Sequence, residues 1–310
     1  MKRGIYQAAT IKFLFLGAVF FCIRCQQEVA LPRLPYEERV VIQGIMEPDS
    51  VPIVYFNRTV PYLSGITDPA ELVVRHGHVL ITSAGETDEL HLDSAFLPLD
   101  CKYSYFYRGD VPVKRNTTYT LDITAGNNTY TATTTTSLTP VMIDDVSYTP
   151  AFKDLYGEHE GVITRFTDIP DETNFYRFEM TRLVDRSARD VTGNQRDLLV
   201  PCLEEGESTL FTEVGRSVYH DKEQEGRQIR LIIEPALTHT QPVTISVRIQ
   251  TIDKVTYDFY DQLDNQKLSQ YNPFVEPVFI REGQFGKKAV GFFGSMVRSD
   301  SVKFEMPPDE

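Results

Sequence analysis

Apolar residues recur at every second position in segment after segment of this chain, and that period admits strands and excludes most helices. Tyr119, Leu121 and Ile123 alternate with Thr118, Thr120 and Asp122. Tyr176, Phe178 and Met180 alternate with Arg177, Glu179 and Thr181. Val243, Ile245, Val247 and Ile249 alternate with Thr244, Ser246, Arg248 and Gln250, and Ile229, Leu231 and Ile233 continue the pattern. Such segments lay one face on a core and the other on solvent. Val40 to Ile45 and Val51 to Phe56 are apolar runs separated by the turn Glu47-Pro48-Asp49-Ser50. Leu72 to Val74 and Val79 to Ile81 read as further strands flanking His76-Gly77-His78. Gly126-Asn127-Asn128 joins the strand ending at Thr124 to Thr129–Thr136 as a hairpin. The lack of tryptophan and the wealth of Tyr, Phe, Thr and Val fit the same reading.

The expected fold is all-β. An immunoglobulin-like or transthyretin-like β-sandwich spans residues 38–137, and Ser137-Leu138-Thr139-Pro140 marks a boundary. A second antiparallel β domain follows over 138–310. It carries one short amphipathic helix near 253–268, where Ile252, Val255, Phe259 and Leu263 form a stripe and Asp253 caps the start.

The N-terminus reads as a leader. Lys2, Arg3 and Lys12 precede an apolar core from Phe13 to Phe21, the size of a signal-peptide core and too short to span a bilayer. Cys25 follows, then Gln26-Gln27-Glu28, the arrangement of a bacterial lipoprotein whose signal (1–24) is removed and whose new N-terminal cysteine carries lipid. Cys22 is the other candidate, and Arg24 stands where a small residue is usual. Residues 25–37, with Leu31-Pro32-Arg33-Leu34-Pro35, read as a tether. Residues 1–24 hold four basic and no acidic side chains, so their removal takes the formal charge from -13 to -17. So acidic a body repels phosphate backbones, which argues against nucleic-acid binding.

In the C-terminal quarter, Tyr271-Asn272-Pro273-Phe274-Val275-Glu276-Pro277 is followed by Phe285-Gly286 and by Ala289-Val290-Gly291-Phe292-Phe293-Gly294-Ser295. Val40 to Gly44, Tyr119-Thr120-Leu121 and Asp168-Ile169-Pro170 through Asn174-Phe175-Tyr176-Arg177 precede them in order. This succession resembles a lipoprotein family of the Bacteroidetes, the domain-of-unknown-function family numbered 4249, over nearly the whole mature chain. Arg281-Glu282-Gly283-Gln284 departs from the Ser-Asn turn frequent there. The resemblance implies an outer-membrane lipoprotein, facing the cell surface or the periplasm, that serves TonB-dependent transporters.

Catalytic signatures are missing: no Gly-x-Ser-x-Gly elbow, no HExxH and no phosphate-binding glycine loop. The expected role is therefore non-catalytic, with no cofactor; the resemblance implies an accessory or binding component of a TonB-dependent transport system, anchored by Cys25. A structural or adhesive surface protein of fimbrial-subunit type is the alternative. Tyr103, Tyr105, Phe106 and Tyr107 around Cys101, and Tyr271 and Phe274 in a proline-bordered loop, are candidate contact residues, since tyrosines bury large area at low entropic cost. Tyr103, Tyr105 and Tyr107 equally suit one face of a strand. Cys101 and Cys202 either pair across the two halves or remain separate thiols. His76 and His78 would share a side with His91 in reach if their segment is a strand, and Asp168, Asp171 and Glu172 form an acidic turn. Each reads more simply as exposed surface, and no metal is expected.

Overall fold

In the computed structural model, fifteen strands and two helices follow one another among the described residues. The structure describes residues 36–61, 64–66, 68–153, 157–186, 202–222, 225–237, 239, 241–271, 278 and 280–308. The expected leader, Cys25 and most of the expected tether lie outside the described residues. The first half holds β1 (Val40–Met46), β2 (Ile53–Arg58), the one-turn helix α1 (Pro69–Leu72), β3 (His78–Ser83), β4 (Glu86–Leu97), β5 (Lys102–Arg108), β6 (Thr118–Ala125) and β7 (Asn128–Thr135). The second holds β8 (Ile143–Lys153), β9 (Glu158–Thr167), β10 (Phe175–Asp185), β11 (Ser208–His220), β12 (Gln228–Ile233), β13 (Val243–Ile252), α2 (Lys254–Tyr271), β14 (Ala289–Arg298) and β15 (Val302–Met306). The chain is all-β, as its alternation predicts.

Twelve of these strands form one sheet, eleven along the path β11-β10-β13-β14-β1-β2-β5-β4-β3-β6-β7 and β15 beside β13. The other three form a small sheet, β12-β9-β8. Two cores result. Ile42, Val54, Phe56, Ile81, Leu121 and Ile123 lie at the centre of the first. Phe166, Tyr176, Met180, Ile245 and Ile249 lie in the second, between the small sheet and β10-β13. The expected boundary after residue 137 falls between β7 and β8, yet Glu38–Glu310 forms one compact unit. The reason is β14. It pairs in parallel with β1, Val40 facing Ala289 and Met46 facing Ser295, and its last residues pair antiparallel with β13. Ala289 and Phe293 thereby enter the first core.

Two glycines make that junction possible. Gly291 sits at φ +120, and a Cβ there would lie 1.8 Å from the Ile42 carbonyl oxygen. Only glycine tolerates that backbone and that approach. At Gly294 a Cβ would collide with Thr256 and Asp253 at the start of α2. Asp253 uses the space. One carboxylate oxygen accepts from the Thr256 N–H at 3.0 Å as an N-cap. The other accepts from the Ser295 N–H at 2.8 Å and from the Thr134 hydroxyl of β7 at 3.0 Å. Phe259 then buries its ring against Phe292, centroids 5.0 Å apart, a burial worth about 1.5–3 kcal/mol. Gln284, in the segment that departs from the family pattern, closes the gap between β14 and β7. It accepts from the Phe293 N–H and donates to the Phe293 and Thr133 carbonyls.

One element differs from expectation. Leu72 to Val74 is not a strand. Asp68 accepts from the Ala70 N–H and Pro69 opens the helical turn, a cap signal that outweighs three apolar residues. Val73 meets the sheet only as an isolated bridge to Asn57, and the Val74 N–H donates to the Phe56 carbonyl at 2.9 Å. The helix expected near 253–268 runs three residues further.

Replacement of Gly291 by valine should remove the β1–β14 pairing and destabilise the whole unit, on the order of 3 kcal/mol or more. Circular dichroism melts should show one lowered transition that takes both halves down together. A variant melting at the parent temperature, or losing only one half, would separate the halves.

Candidate functional site

β4 changes partners midway. Residues 86–90 pair with β3, and residues 91–97 leave that strand and pair with β5. β5 in turn meets β2 only at Arg108 and Tyr107. Residues 91–97 and 102–106 therefore project as a two-stranded arm, a form marginal by itself in water. Every residue from His91 to Leu97 is exposed. The arm is held at its tip instead. Cys101 forms a disulfide with Cys202, Cα atoms 5.2 Å apart, and the Cys202 N–H donates to the Pro98 carbonyl at 2.8 Å. Leu99 packs with Val184, Leu203 and Leu237 of the second half.

The register places Phe96 opposite Tyr103, Ser94 opposite Tyr105 and Leu92 opposite Tyr107, so all six share one face. Phe96 and Tyr103 rings lie 5.2 Å apart and Tyr103 and Tyr105 6.4 Å apart, a continuous row of three rings. Arg75 lies over the Tyr105 ring at 5.0 Å. Leu92 (37%), Phe96 (43%) and Tyr103 (51%) keep large exposed fractions. Tyr107 does not belong to this surface. It is buried, donates to the Val74 carbonyl at 2.6 Å and accepts from the Gly77 N–H, and burial pushes its phenol above its ordinary pKa. The candidate contact at Tyr107 is thus corrected to a core role. Phe106 is also buried, edge-on to Tyr55. The Tyr271 side chain and Phe274 lie outside the described residues.

The acidic turn singled out by sequence is tied into the fold through Asp168. Asp168 is buried, accepts from the Tyr176 hydroxyl at 2.6 Å and from the Gly226 N–H at 2.8 Å. Burial, reinforced by the hydrogen bond to Asp168, pushes the Tyr176 phenol far above its ordinary range. Asn174 donates to the Ile169 and Glu172 carbonyls, and its N–H reaches Asp221. The Asp-Pro turn before the Asn-Phe-Tyr-Arg strand is therefore laced shut from within. His78 faces Glu89 at 3.1 Å, and His91 stands opposite Arg108. Among the described residues no three His, Cys, Asp or Glu side chains gather as metal ligands.

A second feature had no sequence signal, because its members come from distant strands. Arg298 donates to Glu179 at 2.8 Å and to Glu47, and Gln250 donates to Glu179 at 2.6 Å. Burial disfavours the charge on Arg298, but the bonds to Glu47 and Glu179 outweigh it and raise its pKa. A cleft of about 510 Å³ opens beside this pair, between β1, β2, β14 and α2.

Loss of the disulfide should free the arm. The Cys101→Ser/Cys202→Ser variant should lose about 2–4 kcal/mol, since the bond closes a long loop, and amide exchange over residues 91–106 should rise ahead of that in the two cores. Uniform exchange across the chain would show that the arm holds without its staple.

No curated protein matches the sequence. A family model described as Domain of unknown function (DUF4249) matches residues 27–301, nearly all of the folded unit, and the chain belongs to that family.

Proposed function

We propose that this protein is a lipid-anchored outer-membrane lipoprotein with a non-catalytic role. It docks on a TonB-dependent transporter through the exposed face of the β4–β5 arm. The observation that carries the reading is the row Phe96, Tyr103 and Tyr105 on a hairpin whose tip is stapled by a disulfide. Packing within the chain does not require these rings to face solvent. A rigid arm presents them with their geometry already fixed, which lowers the entropic cost of association. Aromatic anchors of this kind dominate protein interfaces. Anchorage through Cys25 would confine the body to the membrane surface and raise its effective concentration near an integral partner. The acidic body gives no attraction to anionic lipid heads, so contact with the membrane rests on the anchor.

Purification of the tagged full chain from its native membrane under mild crosslinking should recover a TonB-dependent barrel. The Phe96→Asp/Tyr103→Asp variant should recover at least tenfold less, with its melting temperature unchanged, because both side chains are surface groups. Equal recovery with the variant would move the contact elsewhere. Recovery of a homopolymer in place of a barrel would favour an adhesive subunit.

A further inference from the structure

We propose that the cleft between β1, β2, β14 and α2 binds a neutral sugar ring, independently of the docking arm. Its volume of about 510 Å³ lies in the range of small-molecule sites. Two tyrosines stand in its lining, Tyr55 and Tyr260. Each is held from behind. Phe106 meets the Tyr55 ring in a T-shaped contact at 5.8 Å. Arg177 lies 3.7 Å from the Tyr260 ring centroid, and Phe292 meets the same ring at 5.4 Å. Tyr55 remains 36% exposed all the same. Supported aromatic rings offer flat apolar faces at fixed positions, which suit the C–H face of a pyranose.

The polar groups narrow the class further. Glu47 and Arg298 both line the cleft and are bonded to each other. Arg298 also reaches the buried Glu179. A ligand with net charge would have to compete with an ion pair already made, and removing one partner from a shielded pair is costly. A neutral polyol meets no such obstacle. Its hydroxyls can donate to the carboxylate and accept from the guanidinium while the pair stays intact, and Gln43 adds an amide with both capacities. Met296 and Ile45 supply the apolar remainder of the lining.

The test uses the full chain in a detergent without a sugar headgroup. Maltose, cellobiose and lactose are the neutral probes, with glucuronate and glucosamine as charged counterparts, read by saturation-transfer NMR and calorimetric titration. At least one neutral disaccharide should bind, and both charged sugars should bind at least tenfold more weakly. Tyr55→Ala removes one stacking face and Gln43→Trp fills the cleft. Each should weaken binding at least tenfold, with the thermal transition of each variant showing that it remains folded. Absence of binding by all three disaccharides, affinity unchanged in both folded variants, or equal binding of a charged sugar would each overturn the proposal. Variants at Phe96 and Tyr103 should leave sugar binding unchanged, which keeps this result separate from transporter docking.

Discussion

The parallel pairing of β1 with β14 is the constraint on which the rest of the structure depends. Among the described residues it joins the first strand to the penultimate one, across nearly the whole folded unit. A parallel pair cannot be made by a hairpin and carries a large loop-closure cost. Most other pairings here are antiparallel, many between sequence neighbours, and could form early. The parallel seam then fuses two cores that the sequence separates at residue 137. Its requirements are narrow: no side chain at Gly291, where the Ile42 carbonyl intrudes, and none at Gly294, where the cap of α2 intrudes. Asp253 converts the second requirement into three hydrogen bonds that tie β7, β14 and α2 together.

That seam also gives Ala289 to Ser295, one of the segments that carry the resemblance, a structural reason. Its side chains alternate between the first core and the underside of α2. Phe293 enters the former, and Phe292 meets Phe259 and Tyr260 in the latter. The glycines between them are spaced by contact. The Asp168 to Arg177 segment has a comparable explanation, since Asp168 and Asn174 satisfy backbone and phenol groups inside their own turn. Neither segment touches the aromatic row of the arm through any bond described above. In this chain both segments hold the scaffold together and not the aromatic row.

Much of the scaffold was legible because half-buried strands advertise their period. β6, β7, β10, β12 and β13 follow the alternation closely, and the α2 cap and stripe were readable from Asp253 to Leu263. β4 was not legible: from His91 to Leu97 both faces meet solvent, so no period of two can appear. At Leu72 the apolar content suits a strand, but the cap at Asp68 and Pro69 start a helical turn instead. At the arm, Tyr103 and Tyr105 were identifiable as aromatic surface, whereas Leu92 and Phe96 join them only through cross-strand register. Tyr107 looked equivalent to its neighbours two residues apart. The strand passes from solvent into the core between Tyr105 and Tyr107, a transition that sequence spacing does not record. Pairing of Cys101 with Cys202 was one of two open readings and is the one found; spacing alone could not decide it, because the arm that brings them together leaves no period in the sequence.

The cluster around Arg298 poses a different question, since stability does not account for it. Arg298, Glu179 and Gln250 come from three strands and Glu47 from the turn after β1, and they meet beside the seam. A shielded ion pair seldom exceeds an apolar replacement of the same volume in net stability, because desolvation of both charges offsets their attraction. Met296 and Ile45 stand close by in the same cleft lining, so an apolar surface was available at this place in the fold. The pair does fix geometry. Glu179 receives bonds from both Arg298 and Gln250 and holds the guanidinium in one orientation. Arg177 and Phe292 do the same for the ring of Tyr260. Polar groups whose orientations are settled before any ligand arrives gain little for folding and much for recognition. The seam thus does two things with the same residues' neighbourhood: it fuses the halves of the fold, and it leaves on its outer side a cleft whose polar and aromatic groups are already aligned.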